Sequence, residues 1–317
     1  MLRAALRSGL GMAYECNAGS CSTCKFELVS GDILDLWPEA PGIRQRERDR
    51  GRRLACQCIP LEDCVIRARL DEVYKPEVPP TRMTVRLDGW RDITRDIRHY
   101  RFRSDQPARF LAGQYAMLHL PGLDSPRAYS MSNIANDGGL WEFMIRRVEG
   151  GKVSKAVFDL AQGDAIALDG PFGLAYLRPE SERDIVCIGG GSGIAPMVSI
   201  LEAASRLEHA RDRALWLFYG GRGPRDVPSL PELISAPCID RQVRWHPVLS
   251  EPALAQGNGW DGDFGLVHEI LPRKLARSLA AYEYYLAGPP PMIEALVRLL
   301  IGDNNVPPSQ LHFDRFF

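Results

Sequence analysis

The sequence predicts a multidomain chain: a small α+β domain, then an antiparallel β-barrel, then an α/β domain with a parallel sheet. Three observations carry this expectation. Cys16, Cys21 and Cys24 stand within nine residues near the start. Short strand patterns separated by turn signals recur from residue 83 to about 177. A buried-type strand at 184–188 runs through Gly189-Gly-Gly-Ser-Gly193 into a helical pattern.

Length and composition set the frame. A chain of 317 residues holds two or three domains. The net charge of −1 points to no nucleic-acid partner, and no stretch nears the roughly 20 apolar residues of a membrane span. Eight cysteines, several at metal-type spacing and without a secretory signal, indicate a reducing cytoplasm. The basic, acid-poor start runs straight into the cysteine loop, so it reads as a domain helix rather than a transit peptide.

The first domain is assigned to residues 1–74. Leu2, Ala5, Leu6 and Leu10 recur at helical spacing, with Gly11 as the residue that ends the helix. Cys16, Cys21 and Cys24 then give C-x4-C-x2-C, with Cys56 and Cys58 about thirty residues on. That spacing suits a [2Fe–2S] cluster, in which each iron takes two protein sulfurs and two bridging sulfides. A four-cysteine zinc site prefers two tight C-x2-C knuckles, and only one is present. Cys56 and Cys58 both qualify as the fourth ligand on distance. Cys64, Cys187 and Cys238 read as buried thiols. Residues 25–29 alternate like a strand, and Cys64-Val-Ile-Arg-Ala-Arg-Leu is a closing strand. The charged run from Arg44 to Arg53 reads as a solvated helix face, with a docking patch as the alternative.

Residues 75–81, Pro-rich and polar, form a semi-rigid linker. The barrel is assigned to 82–180. Its chemistry lies in Gly113-Gln-Tyr115, in Arg127-Ala-Tyr129-Ser130-Met-Ser-Asn133 and in Gly151-Lys-Val-Ser154, with Gly170-Pro-Phe-Gly173 closing the region. Along a strand, Arg127 and Tyr129 share one face and Ser130 takes the other. Arg127 can fork onto a pyrophosphate, Tyr129 can lie flat on an isoalloxazine ring, and Ser130 can reach the flavin N5 edge. Gly151 to Ser154, at a helix start, can hold phosphate on backbone N–H groups.

The α/β domain takes 181–317. Glycines at Gly191-x-Gly193-x-x-Pro196 let a pyrophosphate approach a helix N-terminus, with Pro196 in the first turn. Further strands at 215–219, 243–249 and 282–287 end in Gly220-Gly-Arg222, Ser250-Glu-Pro252 and Gly288-Pro289-Pro-Pro-Met292. Such carboxyl ends are where ligands bind, and Arg222 stands where a 2′-phosphate could be read.

Over nearly its whole length the chain resembles the reductase components of bacterial oxygenases, closest to those of soluble diiron monooxygenases of the toluene-4-monooxygenase type. The residues carrying this are Tyr14-Glu-Cys-Asn, Leu36-Trp-Pro-Glu-Ala-Pro, Leu54-Ala-Cys-Gln-Cys, Arg127-Ala-Tyr-Ser, Gly190-Gly-Ser-Gly-Ile-Ala-Pro-Met and His312-Phe-Asp-Arg-Phe-Phe317. The resemblance implies a β-grasp ferredoxin domain fused to FAD and NAD domains, with Cys56 as fourth ligand. It implies NADH, FAD and one [2Fe–2S] cluster in series, with catalytic roles around Ser130, Ala287 and Phe317, and Phe316 and Phe317 covering the flavin. It also implies a Rieske-type ferredoxin or a diiron hydroxylase as acceptor, and a monomeric, cytoplasmic protein. Two departures stand out. Such domains usually open with a hairpin of two strands before the first helix, whereas this chain opens at the helix. The family usually has Cys where Ala287 stands. The alternatives are an NADH:flavin oxidoreductase whose shortened ferredoxin domain holds no cluster, and the reductase of a ring-hydroxylating dioxygenase.

Overall fold

The computed structural model describes residues 1–316 apart from 124, 209–211, 235–242 and 258. The opening helix is Leu2–Arg7, shorter than the spacing suggested. Gly9, not Gly11, takes the left-handed backbone that ends it, at φ 75°. Leu10 is therefore left exposed, while a Cβ at Gly11 would collide with the Asp71 carbonyl. Strands Arg52–Leu54, Lys25–Ser30 and Val65–Ala68 form an antiparallel sheet in that order, and Ile33–Asp35 pairs with Cys58–Pro60 beside it. The charged run contains only a short helix, Gln45–Arg48, before the chain extends again. Cys64 is half-buried rather than buried, its S–H directed at the Asp32 and Glu62 carbonyls. Cys187 is fully buried as expected, and Cys238 lies outside the described residues.

Six antiparallel strands follow. Neighbour by neighbour they run Leu140–Arg146, Ile97–Arg103, Thr81–Asp92, Ala165–Phe172, Tyr115–His119 and Arg127–Ser130. The sheet nearly closes on itself. Met131 bridges Phe143, and the Ser132 N–H donates to the Glu142 carbonyl, bringing the last strand back to the first. Val85, Tyr100, Phe102, Leu118, Trp141 and Phe143 fill the interior. Closure removes the unpaired edges that an open sheet would present.

The last region is a six-stranded parallel sheet. Its order is Asp263–Phe264, Val243–Leu249, Leu215–Gly221, Asp184–Gly190, Tyr282–Gly288 and Leu311–Arg315. Strands Asp184–Gly190 and Tyr282–Gly288 are apolar on both faces because helices cover both, as parallel sheets require. Strand order reverses between these two, so the binding crevice lies at their carboxyl ends, at Gly190 and Gly288. The C-terminal stretch, expected only as a covering tail, is itself a strand of this sheet.

Candidate functional site

The cysteine loop draws four thiols together in two pairs. The Cys21 N–H and the Ala18 N–H both point at the Cys16 sulfur, at 3.3 and 3.4 Å, and the Cys16 and Cys21 side chains bond each other. Cys24 and Cys56 sulfurs are 3.4 Å apart. Within each pair the two thiols hydrogen-bond each other. Cys21 is thereby held down to about 5, first by the Cys16 side chain, and Cys16 is pushed up by the same bond. Cys56 is likewise lowered, first by Cys24, and Cys24 raised. Further donors converge on these sulfurs: Thr23 on Cys21, and the Gly19 N–H and Gln57 amide on Cys56.

This donor set discriminates between metals. Among the described residues no three His, Cys, Asp or Glu side chains converge on one point as a single zinc ion needs. Two separate pairs suit two irons, each taking two thiolates, with amide donors aimed at sulfur. Cys58 is buried outside both pairs, its thiol raised to about 12, chiefly by burial. Gly19, at φ 84°, turns the loop tightly, and Gly42 packs so close that a Cβ there would strike the Cys21 carbonyl.

On the barrel, Arg127 is exposed, Tyr129 half-buried and Ser130 buried, so the strand pattern splits as the alternation implies. The Ser130 and Ser132 hydroxyls are buried with no hydrogen-bond partner, which suits a polar ring edge placed against them. The helix Lys152–Phe158 starts at Gly151. The Ser154 hydroxyl is already used inside this turn, accepting from the Val148 N–H and donating to the Gly151 carbonyl. Only backbone amides of the first turn are therefore left for a phosphate.

In the parallel sheet, Gly191 has φ 57° with the Arg146 side chain against it, a cation beside a glycine turn of the kind that cradles phosphate. Gly193 is required for another reason: a Cβ there would strike the Ala287 carbonyl. Pro196 and Ala287 are buried, and Gly288 at φ 155° leaves no room for a Cβ beside Met292. Pro289 caps the helix Pro290–Val297. Arg222 is exposed, 3.8 Å from Asp226, a carboxylate also bonded by Arg95. Phe316 packs against the core below the crevice, its N–H donating to the Gly288 carbonyl at 2.9 Å. Phe317 lies outside the described residues.

The contacts that bring the three regions together are not legible in the sequence as site residues. Ser199, in the helix after the glycine turn, donates to the Asn133 carbonyl, three residues past Ser130. Tyr115 donates to the Glu15 carbonyl, and the Gly173 N–H to the Tyr14 hydroxyl. Arg315 bonds Glu15 at 3.0 Å, tying the last strand to the residue before Cys16. Burial pushes the Asp314 carboxyl up to about 7, and Glu15 adds to the rise. Tyr14, Glu15, Asp314 and Arg315 lie inside motifs that the family resemblance rests on, and Tyr115, Asn133 and Gly173 lie inside the barrel motifs.

A barrel with orphaned hydroxyls, a glycine turn at a switch point and two thiol pairs define an iron–sulfur flavoprotein oxidoreductase that uses a nicotinamide cofactor. Residues 1–61 match the 2Fe-2S iron-sulfur cluster binding domain, 84–176 the oxidoreductase FAD-binding domain and 187–298 the oxidoreductase NAD-binding domain. The ferredoxin–NAD(P)(+) reductase CarAd of Metapseudomonas resinovorans is 40% identical over all of this chain and 94% of its own length. The ferredoxin–NAD(+) reductase component of the alkene monooxygenase system of Xanthobacter autotrophicus is 35% identical, over 100% and 95%. The solved ferredoxin reductase in carbazole 1,9a-dioxygenase superposes with a TM-score of 0.92 at 38% identity, covering 100% of this chain and 92% of its own. The chain belongs to the ferredoxin–NAD(P)+ reductase family of multicomponent oxygenase systems, with FAD, NAD and a [2Fe–2S] cluster as its cofactors.

Proposed function

We propose that this chain is the NADH-dependent reductase of a multicomponent monooxygenase acting on an aromatic or alkene hydrocarbon. Related chains carry xylene/toluene, phenol and alkene monooxygenase names, which supports that system, and the similar carbazole and naphthalene dioxygenase reductases make a dioxygenase the second reading. Its direct acceptor is then a Rieske-type ferredoxin or the diiron hydroxylase, and it works as a cytoplasmic monomer. The proposed limits are 1–74 for the cluster domain, 82–180 for the flavin barrel and 181–317 for the nicotinamide domain, joined by 75–81. Among the described residues no helix is long and apolar enough to cross a membrane.

Bound FAD supplies the conversion from a two-electron donor, NADH, to a one-electron acceptor, the cluster. The residues supply position. Cys16 and Cys21 hold one iron, Cys24 and Cys56 the other. Arg127 takes the pyrophosphate of FAD, Tyr129 lies against its ring, and Ser130 donates at the ring edge. Amides after Gly151 add to the phosphate grip. Gly191, Gly193 and Gly288 would admit the dinucleotide, and the C-terminal Phe316 and Phe317 would be the aromatics beside the flavin. The observation that carries the reading is the last strand. Its Phe316 N–H is held by Gly288 while Arg315, one residue earlier, is held by Glu15 beside the first thiol. One short segment thus touches the nicotinamide crevice and the cluster loop together.

The test is the visible spectrum with iron, sulfide and flavin content, before and after anaerobic NADH. The expected result is two irons, two sulfides and one FAD per chain, all bleached by NADH. Flavin without iron would return the reading to a plain NADH:flavin oxidoreductase. For cofactor choice, Asp226 at Arg222 already engages the cation that a 2′-phosphate would need. NADH is expected to exceed NADPH in kcat/KM by on the order of tenfold, and a clear NADPH preference would reverse this.

A further inference from the structure

We propose that the face of the cluster loop carrying Arg44, Arg46 and Trp37 is the docking surface for a protein electron acceptor whose own surface is rich in carboxylates. The inference rests on the function proposed above and names the partner's chemistry and where it binds.

A groove of about 550 Å³ opens beside the loop. Of the four thiol residues it reaches only Cys21, so this is the side on which the cysteine loop opens to solvent. Its charged lining is Lys25, Arg44, Arg46 and Arg315 against Glu15 and Glu47, four cations to two carboxylates. Both carboxylates are already engaged, Glu15 by Arg315 at 3.0 Å and Glu47 by Lys25 at 2.9 Å. Arg44 and Arg46 are exposed and have no carboxylate partner among the described residues. The chain as a whole carries a net charge of −1, so this positive rim is a local feature.

The rim is held in place. The Gly42 N–H donates to the Gly19 carbonyl, and Gly42 sits so close to the loop that no Cβ fits. Arg44 follows two residues later and cannot drift away from the thiols. On the other flank the Trp37 ring lies against Gly19. Leu34, Leu36 and Ile59 continue that flank as an exposed apolar stripe, with Leu34 and Ile59 directly opposed across the hairpin. An exposed Trp on one flank and Arg side chains without a carboxylate partner on the other are anchors of the kind protein interfaces use, and the charge sets which partners are steered in. Unpaired guanidinium forks select carboxylates.

The test uses two heme proteins of opposite charge as one-electron acceptors: cytochrome b5, which is acidic, and cytochrome c, which is basic. Wild type and the Arg44→Glu/Arg46→Glu variant are compared as holoproteins at low and high NaCl. In wild type, kcat/KM for cytochrome b5 should fall steeply with salt, and that for cytochrome c should not. The variant should lose on the order of tenfold toward cytochrome b5 at low salt and gain toward cytochrome c. NADH bleaching of the flavin, followed without either cytochrome, should be unchanged; its absence in wild type would instead count against the function proposed above. Equal rates of wild type and variant toward cytochrome b5, or an equal loss toward both cytochromes, would overturn the docking face.

Discussion

The nicotinamide region and the cluster region solve the same problem, a rigid ligand site, from opposite resources. The parallel sheet has two cores, one on each face, and the first of them also takes Ile93, Ile97, Met144 and Leu177 from the barrel. The cluster region has one, and it is completed by Tyr115, Met117 and Phe172 from the barrel. Its sheet has three short strands, with Val65–Ala68 at an edge. A region with little apolar core of its own gains stability from a metal and from its neighbour, so metal binding and folding there are coupled. The nicotinamide region, by contrast, has two cores and glycine turns fixed by close backbone packing.

The thiols offer the sharpest break in that comparison. Cys56→Ser should remove most of the cluster absorbance and lower the unfolding temperature of the cluster region, while flavin reduction by NADH persists. Cys58→Ser should spare the cluster, because that sulfur lies outside both pairs. Iron analysis and spectra of the two variants decide; the opposite pattern would reassign the fourth ligand.

Next in size is Gly193→Ala. The added methyl meets the Ala287 carbonyl, so the helix must lift off the strand. The nicotinamide region should lose roughly 2–3 kcal/mol, and thermal unfolding should show it there and not in the cluster region. An unchanged transition would mean that the glycine turn is not fixed by packing as described.

Asp314 probes the seam between the two regions. Its carboxyl is raised to about 7, mainly by burial and then by Glu15. A raised carboxyl favours the folded state while protonated, so that stability is full at pH below the unfolded value near 4 and is lost as pH climbs toward 7. Asp314→Asn should remove this dependence, by up to roughly 4 kcal/mol between those limits. Unfolding curves at pH 5 and pH 8 test it, and equal slopes for both proteins would show that Asp314 does not titrate in this window.

The smallest effect is expected at Ala287→Cys, which restores the side chain the family usually places beside the nicotinamide. Flavin bleaching by NADH should speed up by roughly threefold, about 0.6 kcal/mol in barrier. Stopped-flow mixing reads it directly, and a slower rate would mean that the buried pocket at Ala287 has no room for the sulfur.

The same contrast explains which residues the sequence makes legible. Glycine turns and cysteine spacing announce themselves because the chemistry demands those residue types at those intervals. Gly191, Gly193, Cys16 and Cys21 therefore stand out as site candidates from spacing alone. The seam is not. Ser199 and Asn133 are 66 residues apart and Arg315 and Glu15 are 300 apart. No local pattern marks a polar residue whose partner lies in another domain. The first helix ends earlier than its spacing suggests for a related reason. Gly9 and Gly11 both suit a helix stop, and only the packing of Gly11 against Asp71 decides between them. The last strand is easy to pass over because Leu311-His-Phe-Asp-Arg315 is only five residues long and its burial does not follow its apolar–polar alternation.

The central claim is that electrons from NADH reach the two thiol pairs only through the flavin on the barrel. Rapid anaerobic mixing with NADH, followed at the flavin and cluster bands, tests it in one experiment. The account predicts flavin bleaching first and cluster bleaching after it, with Cys56→Ser keeping the first phase and losing the second. Cluster bleaching that precedes the flavin, or that survives removal of FAD, would contradict it.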